Sequence, residues 1–343
     1  MADIGNFGTL WRYADITRAL GSPFVASVLE AGERQLWHAP QTAALISDWT
    51  GDSAAAAVAM RFNGAMHALA RQGNVPSLSA LYQQQHEDFD DALRSALIAE
   101  DAFVADWMRD PPQTNEVGRA ASIASALMVA RRQTGLPAEL LELGSSCGLN
   151  LNLAHYAYDL GGVIAGTHDS RVRIAPLWHG NPPPSEPVEV VAAKGVDLKP
   201  LDPTDIATQD RLQSFIWADQ RDRAVRLEQA LAFAQKRRPQ VDRGDAVVWL
   251  AEQLKQPQRA GVCRTVFHSM VLQYLGDANR AAVSDMIHEA GARATAERPL
   301  AWIAFEWDAG RTEVQLKLSC WPTGETTLLA ICHPYGDWIK WQV

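Results

Sequence analysis

The sequence predicts an α/β protein: a helical N-terminal domain, residues 1–112, followed over 113–343 by a sheet of α/β units that ends in an antiparallel strand pair. Three observations carry this. Apolar residues recur at helical spacing in Ala54–Leu69 and Phe89–Met108, and no convincing strand precedes Leu140. Leu140-Leu-Glu-Leu-Gly-Ser-Ser-Cys-Gly-Leu-Asn150 reads as a buried strand, a tight turn and the start of a helix. Three apolar stretches close the chain, Leu300–Glu306, Glu313–Ser319 and Thr327–Cys332. The second alternates with period two, and Trp321–Glu325 turns it back on the third.

Taken in order, Pro23, Pro40 and Pro76 punctuate the helices of the first domain. Asp110–Thr114 is a loop, and Thr114 or Asn115 is placed to cap a helix that runs to about Gln133. Val117, Ala121, Ala124 and Met128 form its apolar stripe, widened by Ala120, Ile123 and Leu127. Gly135-Leu-Pro137 ends it and delivers the chain to the strand at Leu140. The helix after that strand is expected from Leu149 to about Tyr158. Residues 159–187, rich in Gly and Pro, read as an insertion with a short hairpin. Val188–Leu198 is the next strand, and Asp205–Lys236 is a charged helix with Asp219 and Arg223 as i,i+4 partners. Gly261–Met270 is a β-branched strand and Ala278 to about Ala294 a helix.

Glu142 is the anomalous residue, because a carboxylate at the end of an apolar strand is costly without hydrogen-bond donors. Gly144 and Gly148 sit where the backbone must turn sharply and approach something closely. The first N–H groups of the following helix would favour an electron-rich ligand at that turn.

Glu142-x-Gly144-x-x-x-Gly148 resembles the first motif of class I S-adenosylmethionine-dependent methyltransferases, whose sheet is Rossmann-related and ends in an antiparallel pair. The resemblance implies that Glu142, Gly144, Ser145, Ser146, Gly148 and Asn150 hold the methionine end of S-adenosylmethionine, Ser146 standing where the family has its middle glycine. It further implies that Asp197, with Asp202 as rival, meets the ribose hydroxyls, and that Asp245 and Ala246 meet the adenine. A longer resemblance is to an uncharacterised bacterial domain-of-unknown-function family, number 2332. It rests on Gly148-Leu-Asn-Leu151, Gln113–Arg119, Trp217–Gln220 and Phe267–Tyr274, and covers most of the chain. Asn115, Glu116 and Arg119, with His268 and Tyr274, form the candidate catalytic set. His268 is the general-base candidate, at the carboxyl edge of its strand where α/β ligands gather.

With 47% hydrophobic and 21% charged residues the chain reads as an ordinary globular protein. A net charge of −9 disfavours a nucleic-acid partner and points to a small-molecule substrate; Lys236-Arg-Arg238 is only a short basic run. Cys147, Cys263, Cys320 and Cys332 show neither metal-ligand nor disulfide spacing, so no metal is expected. Met1–Asn6 lacks a leader pattern and no apolar run is long enough to span a bilayer, which gives a cytoplasmic expectation without membrane association. The sequence does not indicate an oligomeric state.

Two other functions fit. A non-catalytic cofactor-binding or scaffold protein could use the same fold. Gly144-Ser-Ser-Cys-Gly148 also satisfies the nucleophile elbow of α/β-hydrolases, with Ser146 as nucleophile and His268 or His333 as base. That elbow normally follows earlier strands and an oxyanion loop, which are not visible before Leu140. The helical domain is expected to cap the substrate.

Overall fold

Proline at the first turn starts three of the N-terminal helices: α2 (Pro23–Gln35), α3 (Pro40–Ser47) and α5 (Pro76–Tyr82). With α1 (Thr9–Ala19), α4 (Val58–Gln72) and α6 (Phe89–Trp107) they build a helical unit. The computed structural model describes residues 8–343 except Ala55. The expectations that fall on Met1–Phe7 and on Ala55 therefore lie outside the described residues. Side chains supply the missing caps. Ser22 accepts the Val25 N–H at the start of α2, and Asp101 on α6 accepts the N–H groups of Gln41 and Thr42 on α3, at 2.9 and 2.8 Å. Leu10, Leu29, Phe62, Met66, Leu69, Leu78, Leu93 and Leu97 are buried in its core.

The chain divides into two compact units. The first comprises the described residues up to Thr114 together with Ile206–Val225, and the second comprises Asn115–Asp205 and Arg226–Val343. Thus 206–225, expected in the α/β domain, belong to the helical unit.

The second unit begins with α7 (Ala120–Thr134), whose expected apolar stripe is buried throughout. Then come β1 (Ala138–Leu143), a 3-10 helix at Leu149–His155, β2 (Ala157–Leu160), β3 (Val163–Gly166), β4 (Arg173–Ile174), β5 (Leu177–His179) and β6 (Val190–Asp197). After α8 (Ile206–Ser214), in the helical unit, α9 (Arg221–Lys236) leads to β7 (Val241–Arg243), α10 (Ala246–Lys255) and β8 (Cys263–Ser269). The chain ends with α11 (Asp277–Ala292), β9 (Leu300–Trp307), β10 (Val314–Trp321), β11 (Glu325–Cys332) and β12 (Trp338–Trp341).

The large sheet has the order β5-β12-β11-β10-β9-β8-β1-β6-β7. From β7 to β9 all neighbours are parallel; β9 to β12 form an antiparallel meander, as expected for the β10–β11 pair. From β1 the chain winds outward through β6 and β7, then crosses to the other side of β1 to place β8 and β9. The order reverses at β1, and in such sheets the usual ligand position is outside the carboxyl ends of the strands flanking the reversal, here β1 and β8. Leu141, Leu143, Val196 and Val266 of the sheet form a buried core with Trp249 and Leu250 of α10 and Val283 and Ile287 of α11.

Three expectations need correction. The helix after β1 is a 3-10 turn ending at His155, and the chain is already extended at Ala157. Its side chains tie it to other segments, Asn150 and Asn152 donating to the carbonyls of Glu116 and Arg237, while the Tyr156 hydroxyl takes the Leu149 carbonyl that an α-helix would use. The Asp205–Lys236 helix breaks between Ser214 and Arg221. Asp219 there accepts from the Ser22 hydroxyl at 2.6 Å and the Phe24 N–H at 3.2 Å, capping α2 instead of pairing with Arg223. The insertion contains its expected hairpin, β2–β3, in a small sheet with β4. It also sends β5 to the edge of the large sheet beside β12, neither of which was anticipated.

Candidate functional site

β1 lies between β6 and β8, with Glu142 opposite Gly195 on one side and Phe267 on the other. The turn beyond it is held by backbone and side-chain bonds. The Ser145 N–H donates to the Val196 carbonyl at 3.0 Å, the Ser145 hydroxyl to the Glu142 carbonyl at 3.1 Å, and the Gly148 N–H to the Ser145 carbonyl at 2.7 Å. A Cβ at Gly195 would fall 1.9 Å from the Ser145 hydroxyl oxygen, so β6 needs glycine where Ser145 crosses it. Gly144, at φ +69°, and Ser146, at φ +53°, are both left-handed. A Cβ at Gly144 would lie 2.5 Å from a methyl of Val271. The close approach this glycine permits is therefore to the chain itself.

Glu142 is 2% exposed and its Oε2 has no hydrogen-bond partner among the described residues. Burial pushes its carboxyl up to about 8, opposed by the neighbouring Ser145 hydroxyl and reinforced by Asp197. Two further buried oxygens in the same stretch have no partner, Ser146 Oγ and Asn150 Oδ1. The Asn150 amide is oriented by its bond from Nδ2 to the Glu116 carbonyl, 3.3 Å, which leaves Oδ1 as an acceptor. Stretch 142–150 thus presents three oxygens that can accept hydrogen bonds, and burial without donors is costly.

The predicted residues 115–119 adjoin this turn. Thr114 or Asn115 was expected to cap the helix that follows; instead Asn115 Oδ1 accepts the Leu149 N–H at 3.0 Å, and Glu116 caps the 3-10 turn Val117–Arg119 by accepting the Gly118 N–H at 3.0 Å. The Arg119 guanidinium is buried and donates to the carbonyls of Pro334 and Ser269, at 2.9 and 3.1 Å, so it braces the end of β8. Burial lowers its pKa, with Glu116 the main opposing charge. Tyr274, 48% exposed, lies on the 3-10 turn Leu272–Tyr274 beyond β8.

A model of the family described as "uncharacterized protein conserved in bacteria (DUF2332)" matches residues 9–341. The chain belongs to this family. No curated protein and no solved structure matches it.

In this family member several predicted residues have structural duties. His268 is fully buried; its Nδ1 lies 2.7 Å from Glu306 Oε1, and its Nε2 accepts the Trp302 indole N–H at 2.9 Å. An indole only donates, so Nε2 carries the lone pair and Nδ1–H faces Glu306, which leaves no nitrogen to take a substrate proton. Asp197 accepts the N–H groups of Ser146 and Lys199 at 2.8 and 2.9 Å, tying β6 to the turn. Its rival Asp202 is engaged by Thr204 and Arg238. Asp245 caps α10, accepting from Val247 and Val248, and Ala246 is the first residue of that helix. Ser146 Oγ has no hydrogen-bond partner, histidine included, among the described residues. Among the described residues no cluster of His, Cys, Asp or Glu could hold a metal, and no helix is long and apolar enough to cross a membrane.

Glu306 was missed. It accepts from His268 and from the N–H groups of Val271 and Leu272, at 2.9 and 3.3 Å, and so holds the segment that packs on Gly144. An acid ending the apolar run Leu300–Glu306 is the same signal that singled out Glu142.

Ser146→Gly is expected to stabilise the protein by about 0.5–1 kcal/mol, because a residue at φ +53° loses its Cβ penalty. Urea denaturation checks this. A loss of stability would mean that the hydroxyl has a partner the turn depends on.

Proposed function

We propose that the chain binds S-adenosylmethionine at the carboxyl ends of β1 and β8 and transfers its methyl group to a small-molecule acceptor. The observation that carries this reading is Glu142, a buried acid whose Oε2 has no donor among the described residues, at the point where the sheet order reverses. The set of acceptors fits in part. Glu142 Oε2, Ser146 Oγ and Asn150 Oδ1 suit the ammonium and hydroxyl donors of such a cofactor, whereas the face of Gly144 is filled by Val271. The meander after β9 is a departure, since β10 follows directly without an intervening helix.

The cofactor would supply a methyl group already activated by a sulfonium charge. The chain's contribution is then positioning rather than proton transfer, in keeping with His268 having both nitrogens engaged. Asp197 fixes the turn, Asn115 fixes the start of the 3-10 helix, and Arg119 and Glu306 fix the segment after β8. A net charge of −9 favours a small acceptor over a nucleic acid.

Equilibrium dialysis against labelled S-adenosylmethionine tests the reading. One site per folded chain is expected. Folded protein that retains no label rejects it.

A further inference from the structure

Beside the motif turn stands a guanidinium with nothing to bind. Arg226 of α9 makes no ion pair and no hydrogen bond among the described residues, and its Nε is buried without a partner. A Cβ placed on Gly118 would lie 3.4 Å from Arg226 Nη2 and 3.1 Å from Glu116 Oε1, and 2.4 Å from the Tyr335 carbonyl oxygen. The Arg226 guanidinium therefore borders the Val117–Arg119 turn, next to Glu116, whose carbonyl orients Asn150.

The neighbouring carboxylate of Glu116 does not neutralise it by direct pairing; its Oε1 accepts the Gly118 N–H. The other guanidinium, Arg119, donates to the carbonyls of Pro334 and Ser269 and makes no ion pair among the described residues. The side chain is half-buried with only Nε out of reach of water, so its Nη groups are open to a ligand, and the fork of an unpaired guanidinium matches a planar or tetrahedral oxyanion.

We infer that Arg226 is the centre of an oxyanion subsite next to the motif turn, taking a carboxylate or phosphate of the bound ligand. For its purpose the subsite rests on the cofactor reading, because two ligands could bring such a group: the cofactor through its methionine carboxylate, or the acceptor through an acid of its own. Acceptor oxygens on 142–150 and a guanidinium beside Gly118 together suit a ligand that carries both an amine and an oxyanion.

The test uses full-length protein and malonate or inorganic phosphate as probes, at constant ionic strength, with thermal unfolding as the readout. Wild type should show a saturable rise in midpoint. Arg226→Gln should weaken it roughly tenfold or more, as for loss of a charge-assisted pair, and Arg226→Lys should keep part of it. Without ligand, Arg226→Gln should unfold no earlier than wild type, because Arg226 contributes no bond to lose. An equal midpoint rise in Arg226→Gln, or no saturable rise in wild type, overturns the subsite.

S-adenosylhomocysteine and 5′-methylthioadenosine, which lacks the amino-acid part, then identify the source. If Arg226→Gln weakens only the former, the oxyanion is the cofactor's; if it weakens neither yet abolishes malonate binding, the oxyanion is the acceptor's. Arg226-dependent malonate binding without any S-adenosylhomocysteine binding keeps the subsite and rejects the cofactor.

Discussion

Glu142→Gln should flatten the pH dependence of stability between about pH 4.5 and 8 and raise stability above that range. The folded carboxyl is pushed up to about 8 from its ordinary 4.5 by burial. Between those values the native state holds a proton that the unfolded chain has released, so wild-type stability falls as pH rises through the window. Below it both states are protonated and glutamine and glutamic acid are nearly equivalent. Above it the wild type has a buried carboxylate whose Oε2 has no donor, and the cost is on the order of a few kcal/mol. Urea denaturation at pH 4, 7 and 9 measures the difference. Parallel curves for the two proteins would mean that Glu142 is solvated or paired.

Gly144→Val should be the most damaging single change in the turn. Valine at φ +69° is strained in its backbone, and its Cβ would sit 2.5 Å from the Val271 methyl. Together these should cost roughly 3–4 kcal/mol or prevent folding. The same substitution in Val271→Ala should recover the packing part and leave the backbone part, so the double-mutant cycle should show strong positive coupling. Additive effects would mean that Val271 does not fill the face of Gly144. Loss of ligand binding in Gly144→Val is thus no evidence of a cofactor cradle unless stability is measured alongside it.

The sequence exposed features governed by local pattern. The Leu140–Leu143 strand, the buried stripe from Val117 to Met128 and the alternating Val314–Trp321 all follow from spacing of apolar residues. Positions settled by distant partners were hidden. Asp219 leaves its helix to cap α2, Asn115 caps a turn from position 149 instead of its own helix, and β12 is a four-residue strand with too little pattern to read. Glu142 was legible as an anomaly because an acid in an apolar strand is conspicuous. His268 was legible as a place but not as a role, since its two partners, Trp302 and Glu306, lie on β9. Arg226 carried no sequence signal, because a cation on a charged helix reads as surface until its lack of partners is seen.

The central claim is that the buried acid at the end of β1 waits for a cationic ligand. A carboxyl near 8 is mostly protonated at pH 7, and an ammonium-bearing ligand would bind its ionised form and displace the proton. Calorimetric titration of the wild type with S-adenosylmethionine at pH 7, in two buffers of different ionisation enthalpy, reads this directly. The heats should differ by an amount equal to release of about one proton per site, and the difference should vanish in Glu142→Gln. Heat independent of the buffer, or no heat from folded protein, would contradict it.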